Sequence, residues 1–152
     1  CEYRLKERYK MNNDLKRSII LDNYQFPSNR KIPNDDSYIK INTNNESCID
    51  NIDLYVKLEN DIIKDINFEG EACAISISTT SIMTKLLIGK SIKEALNIIR
   101  NYQNMIQEKD YDANILKEAI VYNETYKQPS RIKCATLTWN GMEKLLKDKS
   151  LN

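Results

Sequence analysis

Histidine is missing from all 152 residues of this sequence. Its absence removes imidazole metal ligands, the usual general base near neutral pH, and the Ser-His and Cys-His nucleophile pairs. Any metal must therefore be held by sulfur and oxygen. Net charge is nearly absent too: 23 Lys and Arg face 22 Asp and Glu. That balance leaves neither the electrostatic footprint of a nucleic-acid binder nor a polybasic region for an anionic membrane. No apolar run approaches the ~20 residues that cross a bilayer, and the first residues alternate charged with apolar where a signal peptide needs an unbroken apolar segment. These absences predict a soluble, cytoplasmic protein with no nucleic-acid and no membrane partner. The four cysteines include no C-x-x-C pair of the kind that marks a zinc ribbon or a thioredoxin. A reducing cytosol disfavours a disulfide framework, so metal binding or sulfur chemistry is the better reading. The sequence opens on Cys1 rather than Met, as a processed or incomplete N-terminus would, and that thiol carries little weight.

What is present fits one domain over residues 1–152: 41% hydrophobic composition supports a core of its own, and the length is short for two. From Tyr3 to Tyr24 apolar residues recur mostly every three or four positions, which predicts an amphipathic helix, with Asn12 as a candidate break, ending before Pro27. Pro27 to Ser37 reads as a loop. The period then changes to two. Ile39 and Ile41, then Ile52, Leu54, Val56 and Leu58, then Ile62 to Phe68 after a turn at Glu59 to Asp61, predict three antiparallel strands with one wet face. After Gly70 the helical period returns, with Ile75, Ile82 and Leu86 as a stripe and Ser76, Ser78, Thr79, Thr80 and Ser81 keeping the segment narrow. Ser91 and Glu94 form a capping-box pattern that opens a helix to about Gln107. Tyr111 to Tyr122 is a shorter helical candidate, and Pro129 starts a last helix with Ile132, Ala135, Trp139, Met142 and Leu146 on one face. The fold class predicted is α+β: a three-stranded antiparallel sheet packed against four to five helices.

The cysteines fall at element ends. Cys48 lies in the turn between the first two strands with Asp50 two residues on, Cys73 follows the third strand and opens a helix, and Cys134 sits in the early turns of the last helix. Antiparallel order brings the turn of Cys48 and the exit of Cys73 to the same end of the sheet. If the last helix also points its N-terminus there, Cys134 completes three thiolates, with Asp50 as an oxygen donor. Such a set suits tetrahedral zinc, and sulfur-rich ligation also suits iron–sulfur clusters. Helix N-termini, with Arg131 and Lys133 beside Cys134, predict thiols that ionise readily. Each residue has a plainer reading. A lone buried cysteine is more often an apolar filler, and Cys73 stands among Ala72, Ala74 and Ile75. Asp50 is a ready turn-former, Arg131 and Lys133 can be a solvated helix start, and Trp139 reads as core.

Taken together, Asn45-Glu46-Ser47-Cys48-Ile49-Asp50, Phe68-Glu69-Gly70-Glu71-Ala72-Cys73-Ala74-Ile75-Ser76 and Pro129-Ser130-Arg131-Ile132-Lys133-Cys134-Ala135-Thr136-Leu137-Thr138-Trp139, with the earlier Ile19 to Asn29 stretch, resemble the SufU branch of the NifU/IscU-like iron–sulfur assembly proteins. The resemblance implies that Cys48, Asp50, Cys73 and Cys134 hold zinc. It also implies that Cys48 accepts persulfide sulfur from a SufS-type cysteine desulfurase and passes it toward downstream cluster assembly proteins. That is a sulfurtransferase-like carrier rather than a turnover enzyme, with Asp50 as an exchangeable oxygen contact. The alternative is a scaffold that binds iron and transfers a [2Fe–2S] cluster. Lys133 stands where IscU-type scaffolds carry histidine, and the Tyr111 to Tyr126 segment is extra, both as in the SufU branch. Ile49 and Ala72 replace family glycines and narrow the backbone choices beside Cys48 and Cys73.

Overall fold

The computed structural model describes residues 12–46 and 49–150. Helix α1, Asn13–Gln25, starts at Asn12, whose side chain accepts from the Leu15 amide at 2.8 Å. The predicted helix residues before Asn12 lie outside the described residues. Strands β1 (Ile39–Asn44), β2 (Asn51–Glu59) and β3 (Ile62–Glu71) follow, then helices α2 (Ala74–Leu87) and α3 (Ile92–Ile106). A short α4 (Ala113–Leu116), two 3-10 turns (Lys117–Tyr122 and Thr125–Lys127) and α5 (Pro129–Ser150) complete the described elements. The expected α+β class is therefore found: a three-stranded antiparallel sheet in the order β1-β2-β3, with helices packed on it.

Alternation sets the sheet's two faces. Ile52, Leu54 and Val56 of β2 and Ile63, Ile66 and Phe68 of β3 are fully buried, and Asp53, Lys57, Asp65 and Glu69 line the other face. Asn60 and Asp61 both have positive φ, 52° and 62°, the signature of a two-residue type I′ hairpin that matches strand twist. The ladder continues to the far end, where Asn44 pairs with Asn51 and Asn51 with Glu71. Gly70 closes that end tightly. Its φ is +149°, and a Cβ there would fall 2.1 Å from the Asn51 carbonyl oxygen, a space that only glycine fits.

Helix α2 is the central element, touching α1, α5 and β3. Its small polar residues do more than allow close approach. Thr80 Oγ1 lies 2.8 Å from Thr138 Oγ1, Trp139 Nε1 donates to Thr79 Oγ1 at 2.9 Å, and Ser81 donates to Asn23 Oδ1 at 2.8 Å. Buried hydroxyls must find partners, so these pairs fix neighbouring helices in position as well as in distance. The pairing of 76 with 134 and 80 with 138 makes α2 and α5 parallel, with both N-termini at the sheet end that carries Asn51 and Glu71. Trp139 is core, stacked on Tyr102 with centroids 3.8 Å apart.

The segment expected to be one helix from Tyr111 to Tyr122 is instead α4 followed by a 3-10 turn. Lys117 takes a φ of +48° between them, a conformation no α-helix can contain. The amphipathic reading of α1 also needs correction. Ile19 and Ile20 pack on the core, but Leu15 and Tyr24 are 47% and 42% exposed, and the fully turned-in residue is Asn23.

Candidate metal centre

The site forms where the sheet ends and two helices begin. Asp50 leaves the β1–β2 loop, which is closed by a bond from the Asn45 amide to the Asp50 carbonyl at 2.9 Å. Because Asn51 pairs with Glu71, the chain before β2 and the chain after β3 emerge side by side. Cys73 is the N-cap of α2, its sulfur accepting from the Ser76 amide at 3.5 Å. Cys134 lies in the second turn of α5, brought over by the parallel packing on α2.

Among the described residues, Asp50, Cys73 and Cys134 form a group in which one ligand atom of each lies within 4.8 Å of the others. Asp50 is 1% exposed, whereas both cysteines are half-buried free thiols. The carboxylate is gripped at both ends: Oδ1 accepts from the Cys73 amide at 2.8 Å and Oδ2 from the Ser76 hydroxyl at 2.7 Å. Cys73 Sγ is 3.8 Å from Oδ2. A buried carboxylate so held is more than a turn-former, and a cysteine at a helix N-cap facing it is more than apolar filler. Cys48, the remaining expected ligand, lies outside the described residues. Ile49 beside it is 70% exposed.

The expectation of a readily ionised Cys134 is not met by the protein groups around it. Burial pushes this thiol well above its ordinary value, and the neighbouring Asp50 and Cys73 push the same way. Cys134 sits beyond the first turn of α5, where the dipole's effect has faded, and Arg131 and Lys133 are exposed. The local balance therefore favours the neutral thiol until a cation offsets the clustered negative charge. Sequence reasoning also passed over Ser76 as a small packing residue. Its position three residues after an N-cap cysteine, where a side chain can turn back over the helix start, was the available signal.

Fold and site together define a class: a small α+β domain that gathers a carboxylate and thiols at the mouths of two parallel helices. Comparison with known proteins gives that class its family. The NifU-like N terminal domain model matches residues 15–147, and the chain belongs to this family. It is 42% identical over 131 residues to the zinc-dependent sulfurtransferase SufU of Bacillus subtilis, spanning 86% of this chain and 88% of that protein. Against the iron–sulfur cluster assembly scaffold protein IscU of Thermotoga maritima the identity is 33% over 113 residues, 74% of this chain and 80% of the other. A crystal structure from Fervidobacterium islandicum, of a candidate scaffold for the SUF system, superposes with a TM-score of 0.75 at 34% identity, covering 82% of this chain and 91% of that one.

Proposed function

We propose that this protein is a zinc-dependent sulfur carrier of iron–sulfur cluster assembly, taking persulfide sulfur from a SufS-type cysteine desulfurase in the cytoplasm. The observation that carries the reading is the convergence of Asp50, Cys73 and Cys134 within 4.8 Å. The donor set fits zinc. Bonds of about 2.3 Å to sulfur and about 2.0–2.2 Å to oxygen set a tetrahedral sulfur–oxygen pair roughly 3.5–3.7 Å apart, and the 3.8 Å between Cys73 Sγ and Asp50 Oδ2 lies close to that spacing. Cys48 stands two residues before Asp50, within about 7 Å of chain reach, and is the proposed fourth ligand.

When bound, zinc would supply the positive charge that keeps the thiols ionised at neutral pH. The residues do the rest. Asp50, Cys73 and Cys134 hold their donors at one end of the sheet, and Cys48, the sequence neighbour of the exposed Ile49, meets the partner. The Cys48 thiolate attacks the terminal sulfur of the desulfurase persulfide. A new sulfur–sulfur bond forms on Cys48, the partner's sulfur–sulfur bond breaks, and the partner's cysteine leaves as thiolate. Among the described residues no helix is long and apolar enough to cross a membrane, in keeping with a carrier that meets soluble partners.

The test is to mix the protein with persulfide-loaded SufS-type desulfurase and weigh the intact chain by mass spectrometry. One added sulfur atom is expected, and it should vanish with Cys48→Ala. Transfer that survives this substitution, or none with the wild type, would refute the assignment. The names of the scaffold relatives support a second reading, assembly of a [2Fe–2S] cluster. It requires a coloured protein after anaerobic reconstitution with iron and sulfide, where the zinc form is colourless.

A further inference from the structure

One buried hydroxyl touches every described residue of the cluster. Ser76 is 1% exposed, and its Oγ lies 2.7 Å from Asp50 Oδ2, 3.0 Å from the Cys134 carbonyl oxygen and 3.7 Å from Cys73 Sγ. Its amide meanwhile donates to Cys73 Sγ at 3.5 Å. A serine hydroxyl has a single proton and two lone pairs. The shortest contact runs to a carboxylate, where a charge-assisted bond is about twice as strong as a neutral one, so the proton sits in a three-centre bond that favours Asp50 and shares the remainder with the Cys134 carbonyl. The lone pairs are then left to face the Cys73 thiol. With the Cys73 amide on Oδ1, the carboxylate is fixed in both plane and tilt.

From this arrangement we propose that Ser76 is the positioning residue of the metal site: its hydroxyl orients Asp50 as a ligand and keeps the openings of α2 and α5 together. The proposal rests on the zinc-binding reading above. It gives the exchangeable oxygen contact of Asp50 a fixed orientation, that of a carboxylate clamped by the first turn of α2. Metal-ligating carboxylates are themselves commonly hydrogen-bonded, and loss of such an outer partner typically lowers metal affinity about 10- to 100-fold.

The experiment uses the full chain and zinc itself, in competition with a chromogenic chelator, reading both the dissociation constant and the release rate. Ser76→Ala is compared with Ser78→Ala. Ser78 is equally buried on the same helix, but its hydroxyl meets Tyr122 at 2.6 Å rather than a ligand. Ser76→Ala should weaken zinc binding about 10- to 100-fold and speed release, while Ser78→Ala keeps wild-type affinity despite losing a comparable buried bond. Ser76→Thr, which keeps the hydroxyl, should restore retention. On an Asp50→Asn background Ser76→Ala should add little, because its effect travels through the carboxylate. Equal affinity in Ser76→Ala and Ser78→Ala, failure of Ser76→Thr to restore it, or full additivity with Asp50→Asn would overturn the assignment. A wild-type protein that takes up no zinc would instead sink the functional reading itself.

Discussion

Replacing Thr79 with valine removes one oxygen and keeps the shape, yet the structure gives that oxygen two duties. Trp139 Nε1 donates to Thr79 Oγ1 at 2.9 Å, and the Tyr102 hydroxyl lies 2.9 Å from the same atom. Tyr102 spends its only proton on the Ala135 carbonyl, 2.7 Å away. Thr79 must therefore donate to Tyr102, and the bonds run one way, from indole to threonine to phenol to the backbone of α5. All three side chains are fully buried, so Thr79→Val leaves the indole N–H without an acceptor where water does not reach. An orphaned buried donor costs about 1–3 kcal/mol. The loss should lower the melting temperature by roughly 2–4 °C for each kcal/mol in a chain of this size. Urea denaturation should show a lower midpoint with an unchanged slope. The direction of the relay is tested by a cycle with Tyr102→Phe. Neighbours in one network couple by about 0.5–3 kcal/mol, and the second substitution should cost less once Thr79 no longer needs a phenol acceptor. Additive losses, or a Thr79→Val protein as stable as the wild type, would refute the relay.

Gly70→Ala should be among the most damaging single-methyl additions, because the new Cβ would meet the Asn51 carbonyl at 2.1 Å. Strained backbone of this kind costs about 1–3 kcal/mol before the clash is counted, and since the pairing it disrupts holds Asp50 beside Cys73, zinc retention should fall along with the melting temperature. Asp50→Asn should reduce the zinc content of freshly purified protein, read by metal analysis, with no loss of helix by circular dichroism. Glu94 is held below the usual carboxylate range by the Ser91 amide in the capping box. A carboxylate lowered in the folded state contributes stability above its unfolded value and loses it as pH falls through the folded one, so Glu94→Gln should flatten the acid limb of the stability–pH profile and leave neutral-pH zinc binding intact. A mutant profile parallel to the wild type's would contradict this.

Hydrophobic period carried the architecture, because strands that bury one face and helices that bury one stripe must write that geometry into their residue order. Ile52, Leu54 and Val56, and later Ala135, Trp139 and Met142, are buried as their spacing requires. The site was legible as far as element ends could place it: antiparallel order brings Asp50 and Cys73 together without further information. Cys134 was only conditional, since period says which face of a helix is inward and nothing about which way its axis points. That direction is set by Ser76 with Cys134 and Thr80 with Thr138, partners 58 positions apart.

The same kind of signal explains the other departures. Asn23 turns inward because the Ser81 hydroxyl of α2 donates to its side chain. Cys134 resists ionisation because folding buries it and sets Asp50 and Cys73 beside it. In both cases a polar residue's role is written in its distant partner, and local periodicity has no term for it. A stripe of serine and threonine within an otherwise apolar helix is then ambiguous in sequence: it can be spacing, or it can be addressing. Here it is addressing. Ser76, Thr79 and Thr80 each spend one contact on α5, at the Cys134 carbonyl, the Trp139 indole and the Thr138 hydroxyl, and moving α5 by a single turn would break all three at once. The register that stabilises the core is therefore the register that delivers Cys134 to Asp50 and Cys73, and a substitution that loosens one should loosen the other.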